Sequence, residues 1–283
     1  MKKYIVLLLA SGFALTASAQ VATVYEGFDY AIGSGILGQG PAGAAGTWTG
    51  NDTNVLAGSL NYTATAAALP ASGGHISIDF IRPKLDIVAG SAIRDTDGDS
   101  TVWVSWLAQY TYLDGYYSAV EISASDSSSG ADTSINARTL NIGKTGGDPI
   151  DTFDPYFNVM VNNTRGGSTF DLDGPDGGFS DTGVNFYVVK MNFVNGGDDS
   201  ALIWVNPTVA ELTGETGATV VTTGSLNGFD HVFVADFSGN GDLAFDELRV
   251  GPSLGSVAVP EPSTYALILG FLGLGFALWR RRK

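Results

Sequence analysis

The sequence predicts an all-β protein, an antiparallel β-sandwich flanked by an N-terminal signal helix and a C-terminal transmembrane helix. Three observations carry that expectation. Apolar residues recur with a period of two through the middle of the chain, and no 3.6-residue periodicity accompanies them. Clusters of Gly, Ser, Asp and Asn punctuate these segments, with 38 glycines against 10 prolines in 283 residues. Each end carries an apolar stretch with a basic flank.

From the N-terminus, Met1–Ala19 has the three parts of a signal peptide: Lys2 and Lys3 as the basic region, Tyr4–Leu15 as the apolar stretch, and an A-x-A box at Ala17-Ser18-Ala19 before Gln20. Cleavage there implies signal peptidase and the general secretion machinery as partners. Strands are expected at Ile76–Ile81, Thr101–Tyr112, Tyr116–Ser123, Arg138–Ile142, Tyr156–Val161, Asn185–Val194, Ala201–Val205, His231–Phe237 and Ala244–Val250. In the second of these, Val102, Val104, Trp106, Ala108 and Tyr110 point one way, and Trp103, Ser105, Leu107 and Gln109 the other, which predicts one mainly apolar face. Gly196-Gly197-Asp198-Asp199 and Gly239-Asn240-Gly241 read as hairpin turns, and 125–133 and 168–183 as surface loops. With no internal repeat and no change of composition, residues 20–255 form one sandwich domain.

Residues 256–283 are of another kind. Pro260-Glu261-Pro262 precedes an apolar helix expected over 263–279, and Arg280-Arg281-Arg282-Lys283 follows. Seventeen helical residues span roughly 25 Å, a little less than a hydrocarbon core of about 30 Å. The positive-inside bias holds the basic end in the cytoplasm and leaves the domain outside the inner membrane.

Composition excludes several functions. The chain has no cysteine, so no disulfide, thiolate metal site or Cys nucleophile exists, and two histidines leave little for a His-based site. The formal net charge is −15, and removing Lys2, Lys3, Glu261 and the four basic residues at 280–283 leaves 8 basic against 28 acidic residues, or −20, for the exported part. A nucleic-acid partner is excluded, because phosphate binding needs a basic face. With 44% hydrophobic and 11% aromatic residues the chain has ample apolar surface for a core.

The order Pro260-Glu261-Pro262, short apolar helix, Arg-rich end resembles the PEP-CTERM sorting signal of exported Gram-negative proteins. That resemblance implies recognition of Pro260, Glu261 and Pro262 by exosortase, a membrane-embedded enzyme. It implies transient anchoring in the inner membrane, loss of the tail, and delivery to the cell surface or an extracellular polysaccharide matrix. A second resemblance rests on Tyr25-Glu26-Gly27-Phe28-Asp29-Tyr30, Trp103-Val104-Ser105-Trp106-Leu107, the hairpin from Tyr187 to Pro207, and Phe245-Asp246-Glu247-Leu248-Arg249-Val250-Gly251. These are similar to the concanavalin A-like (LamG-like) jelly roll, which implies two packed antiparallel sheets with the first and last strands adjacent. That fold hosts lectins, glycanases and adhesion modules alike, so it implies no ligand.

Candidate sites are few. Asp236, Ser238, Asn240, Asp242 and Glu247 match the oxygen-ligand register of an EF-hand loop, with Gly241 at its sixth position. Strand-like flanks favour a plain turn over a calcium site, so no cofactor is expected and calcium is the alternative. Asp95, Asp97 and Asp99, and Asp171, Asp173 and Asp176, read as solvated acidic turns with weak cation affinity at most. No E-x-D-x-x-E strand or G-x-S-x-G elbow occurs, the glutamates are scattered, and His75 and His231 lie in strand-like segments, so no catalytic residue is assigned. Trp48, Trp103, Trp106, Tyr116 and Tyr117 are of the type that stacks on sugars, but aromatics in alternating strands more often fill the core. The expectation is an exported, exosortase-sorted, non-enzymatic surface or matrix protein, structural or adhesive. A calcium-assisted carbohydrate-binding module is the alternative, and a diverged glycan hydrolase comes third.

Overall fold

The computed structural model describes residues 24–62, 71–79, 81–87, 100–110, 118–123, 138–144, 157–161, 170–171, 183–223, 226, 228, 230–236 and 243–258. Among them are fifteen strands: β1 Val24–Glu26, β2 Trp48–Thr49, β3 Val55–Ala57, β4 Gly74–Ile78, β5 Lys84–Asp86, β6 Ser100–Tyr110, β7 Ser118–Ser123, β8 Arg138–Lys144, β9 Phe157–Val161, β10 Phe170–Asp171, β11 Val184–Phe193, β12 Asp199–Val205, β13 Thr219–Thr223, β14 His231–Asp236 and β15 Leu243–Gly251. One short helix, α1, covers Val209–Gly214. The signal segment and the tail helix expected over 263–279 lie outside the described residues. Among the described residues no helix is long and apolar enough to cross a membrane.

The strands build two antiparallel sheets, as the alternating pattern predicts. One has eight strands in the order β13-β12-β11-β6-β15-β4-β3, with β1 added against β15. The other has seven, in the order β10-β9-β8-β7-β14-β5-β2. The first and last strands are neighbours, Val24 opposite Val250 and Glu26 opposite Leu248. β11 and β12 form the hairpin announced by Gly196-Gly197, with Gly196 at φ 72°, a conformation that glycine adopts without a Cβ clash.

The hairpin expected at Gly239-Asn240-Gly241 does not form. β14 pairs with β5 and β7 in the seven-stranded sheet, whereas β15 pairs with β6, β4 and β1 in the other. Residues 237–242 therefore connect strands of different sheets. A local turn signal identifies a reversal or corner, and the ladder on either side decides which.

The main core lies between the sheets. Val104 and Trp106 of β6, Tyr187 and Val189 of β11 and Phe245 of β15 meet Val120 and Ile122 of β7, Leu85 of β5 and Val232 and Val234 of β14. Trp106 stacks on its cross-strand partner Tyr187, ring centroids 5.1 Å apart and planes within 6°.

The expectation of one apolar face on β6 is overturned. Trp103 and Leu107, on the opposite face, join Phe186, Val188, Trp204 and Ala244 in a second apolar cluster outside the eight-stranded sheet. Leu60 and Tyr62, Leu212 of α1, and Val257 and Ala258 cover it. A helix that the 2-residue period did not announce thus supplies one part of the cover. Thr208 and Glu211 form its capping box, and Glu215 closes it in the left-handed region at φ 50°.

Candidate functional site

β15 ends at Gly251, and the chain turns back over the sheet through a single 3-10 turn, Leu254–Ser256. The Ser256 hydroxyl donates to the Ser253 carbonyl at 2.7 Å and accepts the Ser253 N–H at 3.1 Å, which fixes the turn. Val257 and Ala258 follow and are 0% and 1% exposed within the outer cluster. Their N–H groups both donate to the Leu254 carbonyl, at 3.0 Å each. The Val257 carbonyl accepts the hydroxyl of Ser105, 2.6 Å away in the middle of β6.

This arrangement explains Ser105, a polar residue between Trp103 and Leu107 on an apolar stripe. It receives the terminal segment, and without that partner its buried hydroxyl would go unsatisfied. Burying Val257 contributes about 2 kcal/mol and the Ser105 bond about 1 kcal/mol. Ser256, Val257 and Ala258, which the sequence places in the sorting segment, are thus packed on the sandwich. Ser105 between two large apolar residues was the available signal for this contact, although it does not name the partner. Pro260, Glu261 and Pro262 lie outside the described residues, as do Ala17 and Ala19.

Two of the five candidate calcium ligands are described. Asp236 belongs to the seven-stranded sheet and Glu247 to the other, and Ser238, Asn240 and Asp242 lie outside the described residues. Asp236 is buried and accepts the Ser118 hydroxyl at 3.0 Å. Glu247, at φ 55° within a bulge of β15, is buried as well. One of its oxygens accepts the Ser72 N–H at 2.9 Å and the Tyr25 hydroxyl at 3.1 Å, while the other accepts Arg249 at 3.0 Å. Among the described residues no group of three or more His, Cys, Asp or Glu side chains is placed to hold a metal ion. Asp95, Asp97, Asp99, Asp173 and Asp176 are outside the described residues, and Asp171 is the last residue of β10.

Buried carboxylates do recur, and each binds a loop to a sheet. Glu26 accepts the Phe28 N–H at 2.8 Å, the Tyr30 hydroxyl at 2.8 Å and the Trp48 indole N–H at 2.7 Å. Asp246 accepts the Ser59 hydroxyl at 2.5 Å, the Leu60 N–H at 2.8 Å and the Glu247 N–H at 2.8 Å. Asp199 accepts the N–H groups of Val194 at 2.8 Å and Leu226 at 2.7 Å. Burial pushes the Asp246 carboxyl up to about 8 against the donors that favour its charge. Burial also raises Glu26 above the ordinary carboxylate range, opposed by its three donors. In a cysteine-free chain these carboxylates tie down long loops.

A charged constellation lies on the outward face of the seven-stranded sheet. Phe233 faces Lys84 on one side and Glu121 on the other, and Asn141 follows Glu121. Arg82 pairs with Glu121 at 2.5 Å and lies 4.0 Å from the centre of the Phe233 ring. His231 lies between Asp86, at 3.1 Å, and Asp230, at 3.3 Å, and Asp86 also meets Lys84 at 3.1 Å. Arg82–Glu121 and Lys84–Asp86 are ion pairs, and Arg82, Glu121 and His231 are buried. His231, expected to be structural, is buried beside the two carboxylates. His75, at the other histidine position, contacts the Gly58 carbonyl at 2.6 Å beside the edge strand β3.

None of the three tryptophans offered for sugar stacking is open to solvent. Trp48 and Trp106 fill the inter-sheet core, and Trp103 stacks on Trp204 in the outer cluster, centroids 5.9 Å apart. Tyr116 and Tyr117 are outside the described residues.

Residues 258–283 match the family described as the PEP-CTERM protein-sorting motif. No curated protein sequence matches the chain. Among solved structures, lectin I-B4 from Griffonia simplicifolia is similar at 11% identity and TM-score 0.43, over 72% of this chain and 91% of that one. The globular domain of T. cruzi calreticulin is similar at 12% identity and TM-score 0.47, over 84% and 90%. An endo-β-1,4-glucuronan lyase from Trichoderma reesei is similar at 9% identity and TM-score 0.42, over 84% and 98%.

Proposed function

We propose that this chain, which ends in a PEP-CTERM sorting motif, is a non-enzymatic surface or extracellular-matrix protein of a Gram-negative bacterium, structural or adhesive in role. The motif implies export, transient anchoring and processing by exosortase, and its match over residues 258–283 is the observation that carries the reading. Two features of the domain support a passive role. Buried acids are engaged with a cation or with loop donors, as in Arg82–Glu121 and the Glu26 and Asp246 clusters. Its stacked aromatic pairs, Trp106–Tyr187 and Trp103–Trp204, serve packing.

Mass spectrometry of the surface-exposed protein tests the sorting step. The expected mature form lacks residues 265–283, and a surface form that retains them overturns the reading. The alternatives have their own readouts. A calcium-assisted lectin requires a glycan-array signal that depends on calcium, and a glycan hydrolase requires release of reducing sugar from a polysaccharide. The present reading expects neither.

A further inference from the structure

We propose that the docked segment Leu254–Ala258 is a latch on the sorting signal: exosortase gains access to Pro260–Pro262 when this segment leaves the eight-stranded sheet. The inference rests on the exosortase reading above and specifies how that step is controlled.

Ala258 is at once the first residue of the matched motif and a buried residue of the outer cluster. Only Val259 separates it from Pro260. Consecutive Cα atoms are about 3.8 Å apart, so covalent geometry alone keeps the Pro260 Cα within about 7.6 Å of that of Ala258. An enzyme that cuts a peptide holds residues on both sides of the bond in an extended run, using backbone hydrogen bonds and alternate side-chain pockets. Of the three residues before Pro260, two are withheld. Val257 has its carbonyl on Ser105 and its N–H on Leu254, and Ala258 has its N–H on the same Leu254 carbonyl. Their side chains are buried beside Trp103 and Leu107.

The attachment is of a kind that opens locally. It consists of one 3-10 turn, one side-chain bond into β6 and the packing of Leu254, Val257 and Ala258 on the outer cluster, and an attachment without ladder pairing belongs to the low-stability end of a structure. When such an opening is fast, cleavage follows the population of the open form. Residues of β6, β11, β12 and α1 build the surface beneath the latch, so docking requires those elements in place. The same contact therefore reports that the sandwich is folded and sets how quickly its tail is removed.

Pulse–chase labelling of the full chain in its exosortase-bearing host measures conversion of precursor to mature protein. Ser105→Ala removes the bond into the sheet and is expected to speed conversion roughly fivefold, the effect of one ordinary hydrogen bond on the open population. Inserting six Gly/Ser residues between Ala258 and Val259 leaves the latch and the domain untouched, and is expected to speed conversion by at least as much. Ser105→Ala added to the insertion should then have no further effect. Conversion at the wild-type rate, or slower, in the insertion variant overturns the latch. Absence of conversion in the wild type instead overturns the exosortase reading itself, so the two failures are distinct.

Discussion

The Trp48 indole N–H donates to the Glu26 carboxylate over 2.7 Å, with both side chains buried, and joins β2 of one sheet to β1 of the other. The same carboxylate also receives the Phe28 N–H and the Tyr30 hydroxyl. Glu26→Ala strands two buried donors at once, and each costs about 1–3 kcal/mol. The expected outcome is a loss of about 3 kcal/mol in urea unfolding, with a red-shifted tryptophan emission. A variant within 1 kcal/mol of the parent would show that water replaces the carboxylate.

Asp246 makes the stability depend on pH. Its folded carboxyl is raised to about 8 from an ordinary 3.8, chiefly by burial, so between those values the folded state holds a proton that the unfolded chain has released. That contribution is complete below pH 3.8 and is lost as pH rises to about 8. Glu26, raised in the same direction, adds to the slope. Thermal unfolding is expected to show Tm falling over this window. Asp246→Asn should lower Tm overall, because one amide oxygen cannot serve both Leu60 and Glu247 N–H groups, and it should flatten the slope.

Arg82 and Glu121 form a buried pair with the guanidinium over Phe233. Arg82→Met takes from the buried Glu121 carboxylate its 2.5 Å partner and is expected to cost about 3–5 kcal/mol. The double variant Arg82→Met, Glu121→Leu should recover most of that loss, since apolar replacement of a whole buried pair is often neutral. Equal destabilisation of the single and double variants would mean that the charge itself is not what matters.

Gly143 of β8 lies at φ 140°, and a Cβ there would come 2.6 Å from the Ser118 carbonyl and 2.7 Å from the Tyr110 hydroxyl. Gly143→Ala is expected to lose about 2 kcal/mol, because backbone must move on β7 to relieve the clash. Calorimetry on the purified domain gives the shift directly.

Calcium is expected to leave Tm unchanged relative to a chelator. Both oxygens of Glu247 already accept protein donors, and Asp236 lies on the other sheet. A rise in Tm with calcium would overturn this expectation.

Alternation along single segments was enough to place β4, β6, β7, β8, β9, β11, β12, β14 and β15, because strand side chains have a period that any half-buried sheet imposes. Short strands escaped: Val24–Glu26, Trp48–Thr49, Val55–Ala57 and Lys84–Asp86 are too brief to show a period, and partners far along the chain hold them in place. Helix α1 is likewise only six residues, and its capping box, Thr208 with Glu211, was the readable sign. The calcium register of Asp236 to Glu247 was legible as a pattern, but spacing along the chain carries no information about which sheet each flank joins.

By itself the sequence determined the sandwich class, the strongly acidic exported part and the sorting motif, since each depends on local composition or on order along the chain. Tertiary structure alone decided that Val257 and Ala258 are core residues, that Ser105 holds them, and that buried acids such as Glu26 and Asp246 fasten loops. The reason is physical. Periodicity reports which face of a strand is apolar, whereas the segment that covers that face arrives from as far as 152 residues away, by contacts that no local pattern encodes.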